Sequence, residues 1–187
     1  YPSDDLVGAY SSMDTRREAT IALDYTNDRG QVVDRRYVTK YLSPVSLRYD
    51  GDKDWPIVRY ADILLLYAEL VNELEGPSAA MPYVNLTRQR AGLDALDAIT
   101  IANRHQMRGV IEKERRLELA YENHRWFDLI RTNRVIEVMT NHWNNETYYA
   151  DVIAETGPIV LNQNLILLPI PQKEIDIQQG ITQNVGY

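Results

Sequence analysis

The most regular pattern in the chain runs from Ile57 to Leu74. Asp62, Glu69 and Glu73 form a thin polar line there, and nearly everything else, including Ile63–Ala68, is apolar. Spaced by seven and four residues, those acids share one strip of a helix, so the pattern predicts a helix over 57–74 that is covered on most of its sides. Asp54 is placed to cap it, and Pro56 falls near its first turn. Glu75-Gly76-Pro77-Ser78 is a break. Gly76 suits a left-handed exit and Ser78 the cap of a second helix, Ala79–Ala91, closed by Gly92. So short a loop makes the pair an antiparallel hairpin. A third helix is expected over Arg104–Glu122 and a fourth over His124–Thr140, with Asn123 between them because asparagine tolerates the left-handed region. Upstream, Thr20–Thr26 and Gln31–Leu42 alternate loosely around Asn27-Asp28-Arg29-Gly30, a β-hairpin signal. Downstream, Asn141–Thr156 reads as a polar loop, Leu165–Leu168 as a short strand ended by Pro169 and Pro171, and Gln172–Ile177 as a helical turn. The fold class is mainly α, two repeat-like helical hairpins with a small β-hairpin and loop-rich ends. It divides into an irregular segment with the hairpin over 1–53, a four-helix core over 54–141, and a loop, strand and tail over 142–187.

The third helix carries a conflict. At about 100° per residue, Met107, Val110, Ile111, Leu117 and Tyr121 fall on one side, and Glu114 and Glu118 fall in the middle of it. Glu112, Lys113 and Arg116 take the opposite, solvated face. A lone buried charge costs several kcal/mol or more, so the inward acids need partners. The cations at hand are Arg59, Arg88, Arg90, Arg125 and Arg131, and arginine's planar fork matches a carboxylate. The expectation is a structural ion-pair network of Arg59, Arg88, Arg90, Glu114, Glu118, Glu122, Arg125 and Arg131. A pair of glycosidase carboxylates is the competing reading, because a spacing of four brings Glu114 and Glu118 within about 6 Å. Their place in an apolar stripe, away from any cleft loop, disfavours it. Trp55, Trp126 and Phe127, beside helix starts and arginines, read as core anchors.

Composition narrows the function classes. The chain has 187 residues, 44% hydrophobic and 25% charged, and a net charge of −7. That balance argues against non-specific binding to nucleic acid or an anionic membrane. There is no cysteine, which removes thiol nucleophiles, disulfides and thiolate metal sites. No segment approaches about 18 consecutive apolar residues. His105, His124 and His142 are far apart and form no metal pair, and the acidic run Asp50–Asp54 lacks the ligand spacing of a calcium loop, so no metal or other cofactor is expected. Trp143, Asn144, Asn145, Tyr148 and Tyr149 combine flat apolar faces with amide groups, the chemistry a sugar needs, and are the candidate ligand-binding residues.

Five blocks occur in order: D-W-P-I-V-R-Y-A-D-I-L-L-L-Y-A-E (54–69), V-N-L-T-R-Q-R-A-G-L (84–93), E-K-E-R-R-L-E-L-A-Y-E-N-H-R-W-F-D-L-I-R (112–131), L-L-P-I-P-Q-K-E-I (167–175) and Q-N-V-G-Y (183–187). Together they resemble the C-terminal conserved region of the SusD/RagB family, and Arg16–Thr20 with Asp14 resembles its Asp-x-Arg-x-x-Thr region. Asn123 stands where the family often has Gly, and Val185 where its tail usually has Pro. The resemblance implies one C-terminal domain of a longer, tetratricopeptide-like helical protein whose N-terminal half is absent. It implies a non-enzymatic protein, without cofactor, on the outward-facing surface of the outer membrane. It would be held there by an N-terminal lipid anchor absent from this chain. Its partners would be a TonB-dependent (SusC-like) transporter and an oligosaccharide or peptide nutrient, most often a glycan. The alternative is a helical-repeat scaffold for protein–protein contacts with no small ligand of its own.

Overall fold

The structure is a computed structural model that describes residues 1–44, 51, 53–97, 99, 101–178 and 180–187. Asp50 and Asp52 of the acidic run lie outside the described residues. The chain is mainly helical and forms two compact units, Tyr1–Arg125 and Trp126–Tyr187.

In the first unit, helix α1 (Asp4–Ala9) starts where the Ser3 hydroxyl accepts from the Leu6 amide at 3.2 Å. The short helix α2 (Arg16–Thr20) leads into the expected hairpin. Strand β1 (Ile21–Ala22) pairs antiparallel with β4 (Tyr37–Val38), and β2 (Tyr25–Thr26) with β3 (Val32–Val33). At the tip, Asn27 Oδ1 accepts from the amides of Arg29 and Gln31, and Gly30 takes the positive φ that closes the turn.

Helices α3 (Tyr60–Leu74), α4 (Pro77–Arg90) and α5 (Arg104–Glu118) pack on one another around Leu65, Ala68, Val71, Val84, Met107 and Ile111. Three boundaries differ from the sequence pattern. α3 begins at Tyr60 rather than Ile57, because Arg59 is extended (φ −120°, ψ 156°) and sends its side chain across to Glu118 on α5 and Glu122 just beyond it. α4 is capped by Gly76 with Pro77 at its first position, so Ser78 lies inside the helix. α5 stops at Glu118 because Tyr121 turns left-handed (φ 65°), two residues before Asn123 does so at 64°. The expected cover over α3 also differs. α4 and α5 occupy one side of it, while Tyr60, Ile63, Leu70 and Leu74 stand exposed along the other, with the half-exposed Tyr67 at the margin, edge to face with Tyr83 of α4. Asp62, expected in the wet strip, is buried and ion-paired with Arg115 at 2.8 Å. Trp55, expected in the core, is half exposed and stacks on Tyr41 with ring centroids 4.7 Å apart.

The second unit holds most of α6 (Arg125–Arg131), then α7 (Val135–Asn145), α8 (Ala150–Thr156) and α9 (Gln172–Ile177), with single 3-10 turns at Thr147–Tyr149 and Gln163–Ile166. The expected fourth helix is broken after Arg131. Thr132 returns its hydroxyl to the Asp128 carbonyl at 2.7 Å, and Asn133 is left-handed at φ 56°. The unit packs on Leu129, Val135 and Leu161, with Trp143 and Ile166 against them. Phe127 is exposed and Trp126 lies at the boundary of exposure, so neither anchors this core. No strand forms over 165–168. Asn162 caps a 3-10 turn there, and side chains of the tail take the backbone groups that a partner strand would have used. Gln183 bonds both the amide (2.8 Å) and the carbonyl (2.9 Å) of Ile170, and Asn184 donates to the Leu168 carbonyl at 2.7 Å.

Candidate functional site

Glu114, Glu118 and Glu122 are 2%, 3% and 4% exposed, and each meets cations. Arg16 Nη1 reaches Glu114 at 2.6 Å and Glu118 at 3.2 Å. Arg90 bonds both oxygens of Glu118, at 2.7 and 2.6 Å, and Arg59 adds a contact at 3.2 Å. Arg59 also grips Glu122 with two parallel bonds of 2.7 Å, the bidentate geometry its planar fork favours. Lys40 pairs with Glu122, and Arg88 approaches Glu114 at 3.8 Å. The cluster thus joins residues from α2, β4's exit, α3's start, α4's end and α5. Asp14, buried beside it, orients Arg16 through bonds of 2.9 and 2.7 Å. Arg125 and Arg131, expected in the same group, pair elsewhere: Arg125 with Glu112 at 3.0 Å, Arg131 with Asp128 at 2.9 Å. Each has an acid within its own unit: Arg125 takes the solvent-side Glu112 of α5, and Arg131 takes Asp128 one turn earlier on its own helix.

Electrostatics follow from burial and these contacts. Burial alone would raise Glu118, but Arg90, Arg59 and Arg16 outweigh it and hold the carboxyl below the ordinary glutamate value. Glu122 is lowered in the same way, against its own burial, by Arg59 and Lys40. Burial pulls Lys40 down, with Glu122 opposing. Arg16 is desolvated too, yet Asp14 and Glu114 raise it.

Lys40 and Arg59 of this cluster, with Tyr10 and Tyr41, also close the end of α5, whose last carbonyls have no helical partner. The Tyr10 hydroxyl donates to the Leu117 carbonyl at 2.9 Å. Lys40 donates to those of Glu118 and Ala120, each at 3.0 Å, and Arg59 to that of Glu118 at 3.1 Å. The Tyr41 hydroxyl reaches the Tyr121 carbonyl at 3.1 Å. Asp14, Arg16 and Lys40 were missed by reasoning from the helices alone. The resemblance around Asp14 and Arg16 pointed to the first two; for Lys40 the signal was only that three inward acids, two on α5 and one just beyond it, need more cations than the helices supply.

The five candidate ligand residues fall into two groups. α7 runs through Asn145, so Trp143, Asn144 and Asn145 are helical rather than in a loop. Trp143 packs against the Leu129 core. Asn144 donates to the carbonyls of Thr140 and Ile159, both at 2.7 Å, and accepts from the Ile159 amide at 2.9 Å, while Asn145 donates to the Asn141 carbonyl. Tyr148 and Tyr149 sit in the 3-10 turn beyond, edge to face at 5.1 Å and 89°, with Tyr148 80% exposed.

The profile of the SusD family matches residues 15–187. Among curated relatives, SusD-like protein P38 of Formosa agariphila is 35% identical over 138 residues, covering 70% of this chain and 24% of its own length. A SusD superfamily protein from Parabacteroides distasonis superposes with a TM-score of 0.76 at 26% identity, over 100% of this chain and 42% of its own. Surface glycan-binding protein A from Bacteroides uniformis superposes at 0.66 and 26%, over 97% and 40%. The chain spans less than half the length of each of these. Sequence, fold and the ordered blocks around the Glu114–Glu122 cluster converge, and the chain belongs to the SusD family.

Proposed function

We propose that the protein captures a glycan at the outward face of the outer membrane, anchored there by lipid, and passes it to a TonB-dependent, SusC-like transporter. It does so without cleaving the glycan and without a cofactor. The observation that carries this reading is the likeness, over nearly the whole chain and above one-quarter identity, to surface glycan-binding proteins from Bacteroides uniformis and Bacteroides fluxus. The division of labour within the chain supports it: the acids are locked into the scaffold, and exposed aromatic surface is left for a ligand. Of the five residues that suit a sugar, Tyr148 is exposed and Tyr149, half-buried, stands edge to face against it, while Trp143 packs on the Leu129 core and Asn144 bonds the Ile159 carbonyl. Titration with a glycan panel tests this. A cognate glycan binds the parent protein, and Tyr148→Ala with Tyr149→Ala weakens it; unchanged affinity removes this pair from the site, and silence across the panel removes the reading. A second reading, a helical scaffold for protein partners with no ligand of its own, is favoured by the exposed apolar stripe on α3. Binding of any glycan without a protein partner present decides against it.

A further inference from the structure

A second aromatic surface lies in the first unit, remote in sequence from Tyr148. The β-hairpin and the start of the chain enclose an open cleft of about 650 Å³, lined by Tyr1, Tyr25, Arg35, Arg36, Tyr37 and Leu42 among others. That volume is within the range of small-molecule sites. Register builds it: Tyr25 on β2 and Tyr37 on β4 belong to the two short ladders and meet edge to face, 6.2 Å between centroids at 87°. The two guanidiniums have different duties. Arg36 pairs with Asp4 and ties α1 to the hairpin. Arg35 is exposed, lies 4.7 Å over the Tyr1 ring, and has no carboxylate partner among the described residues. Stacking occupies one face of a guanidinium and leaves the N–H donors at its edge directed outward in their plane. In a protein of net charge −7, most other arginines near carboxylates are spent on them.

We propose that this cleft binds a saccharide carrying an anionic substituent, a carboxylate or a sulfate. Arg35 receives the anion in its fork, and the Tyr25 and Tyr37 rings meet the C–H faces of the sugar. The inference rests on the glycan-binding reading and adds the chemical class of the glycan and a site distinct in residues from the Tyr148–Tyr149 pair. Arg35 is exposed, so its contact with an anion is screened by salt.

Calorimetric titration of the whole chain tests it with three probes: an oligogalacturonate for the carboxylate, a sulfated galacto-oligosaccharide for the sulfate, and a neutral galacto-oligosaccharide. At least one anionic probe binds, and which one identifies the substituent. Arg35→Ala weakens it about tenfold or more, as expected for loss of a charge-assisted hydrogen bond. Arg35→Lys, which keeps the charge and loses the fork, falls between. Raising salt from about 50 mM to about 500 mM weakens the parent more than Arg35→Ala. If the neutral probe binds as tightly as the anionic ones, or Arg35→Ala keeps full affinity with an unchanged unfolding midpoint, the cleft is not this site and the glycan-binding reading stands. If no oligosaccharide binds at all, both fall together.

Discussion

Glu118 gathers three arginines onto one carboxylate. They come from α2, from just before α3 and from the end of α4, and the carboxylate they reach is almost wholly buried. Replacing a buried acid leaves its partners uncompensated, which costs about 3–5 kcal/mol when one member of a buried pair is removed. Glu118→Gln is therefore expected to lower the unfolding free energy by about 3 kcal/mol or more in a denaturant titration. A cost near zero would mean that solvent, rather than packing, satisfies these guanidiniums. Acid tests the same cluster without mutation. Glu118 and Glu122 are held below the 4.5 of an ordinary glutamate, so the unfolded chain takes up protons at these groups before the folded one does. Their contribution to stability is complete above that value and is lost as pH falls through the lowered one. The denaturation midpoint should stay nearly flat down to about pH 5 and then fall, a fall blunted in Glu118→Gln. Tyr10 and Tyr121 give the alkaline counterpart. Burial raises each from 10.0 to about 12, so their stabilisation is present below pH 10 and is lost as pH climbs through 12. In an absorbance titration these two tyrosines should ionise late, together with unfolding.

At the scale of elements, the lesson lies in where helices stop. Asn123 was legible as a left-handed position and holds φ 64°. Asn123→Gly is expected to leave stability within about 0.5 kcal/mol, because glycine accepts the same backbone, while Asn123→Val should cost about 1–2 kcal/mol. Comparing the two unfolding midpoints checks it; equal midpoints would show that the turn relaxes away from positive φ. Periodicity located α3, α4 and α5 and the inward acids, because one face of each packs a common core and that face repeats with the helix. It did not locate the early end of α5. Nothing local stops a helix at Leu119; what stabilises the break is a set of distant side chains, Tyr10, Lys40, Tyr41 and Arg59, donating to the freed carbonyls. The same holds for the tail, where Gln183 and Asn184 replace a strand partner that the apolar run at 165–168 suggested. The candidate binding residues were the least legible. An aromatic in a polar context reads alike whether it packs into a core, as Trp143 does, or stays exposed, as Tyr148 does. The cleft at Arg35 needs two ladders to bring Tyr25 and Tyr37 together, a long-range fact with no periodic signature.

For the molecule as a whole, the abundance of acid and base in 112–131 poses the choice between a scaffold and a hydrolase. Cleavage of a glycosidic bond needs two carboxyl groups flanking the sugar, one kept protonated near neutral pH by a raised pKa. The cluster has the opposite character. Glu118 and Glu122 are lowered, and all three glutamates are buried and held by Arg16, Arg59, Arg90 or Lys40. To act on a sugar, a carboxylate here would have to exchange charge-assisted bonds in a dry interior for contacts with a neutral ring, a loss of about 1.5–3 kcal/mol for each bond broken. Breaking them would also release α2, the hairpin and α3 from α5, so substrate entry would be tied to partial unfolding. The expected behaviour is capture without turnover. After long incubation with a glycan that it binds, the protein should return that glycan at unchanged chain length, with no new reducing ends by chromatography. Product that vanishes in Glu118→Gln, in a variant whose circular dichroism and unfolding transition still report a folded chain, would overturn this and make the cluster an active site. Product that persists in that variant would point to carboxylates elsewhere, outside α5 and its arginine partners.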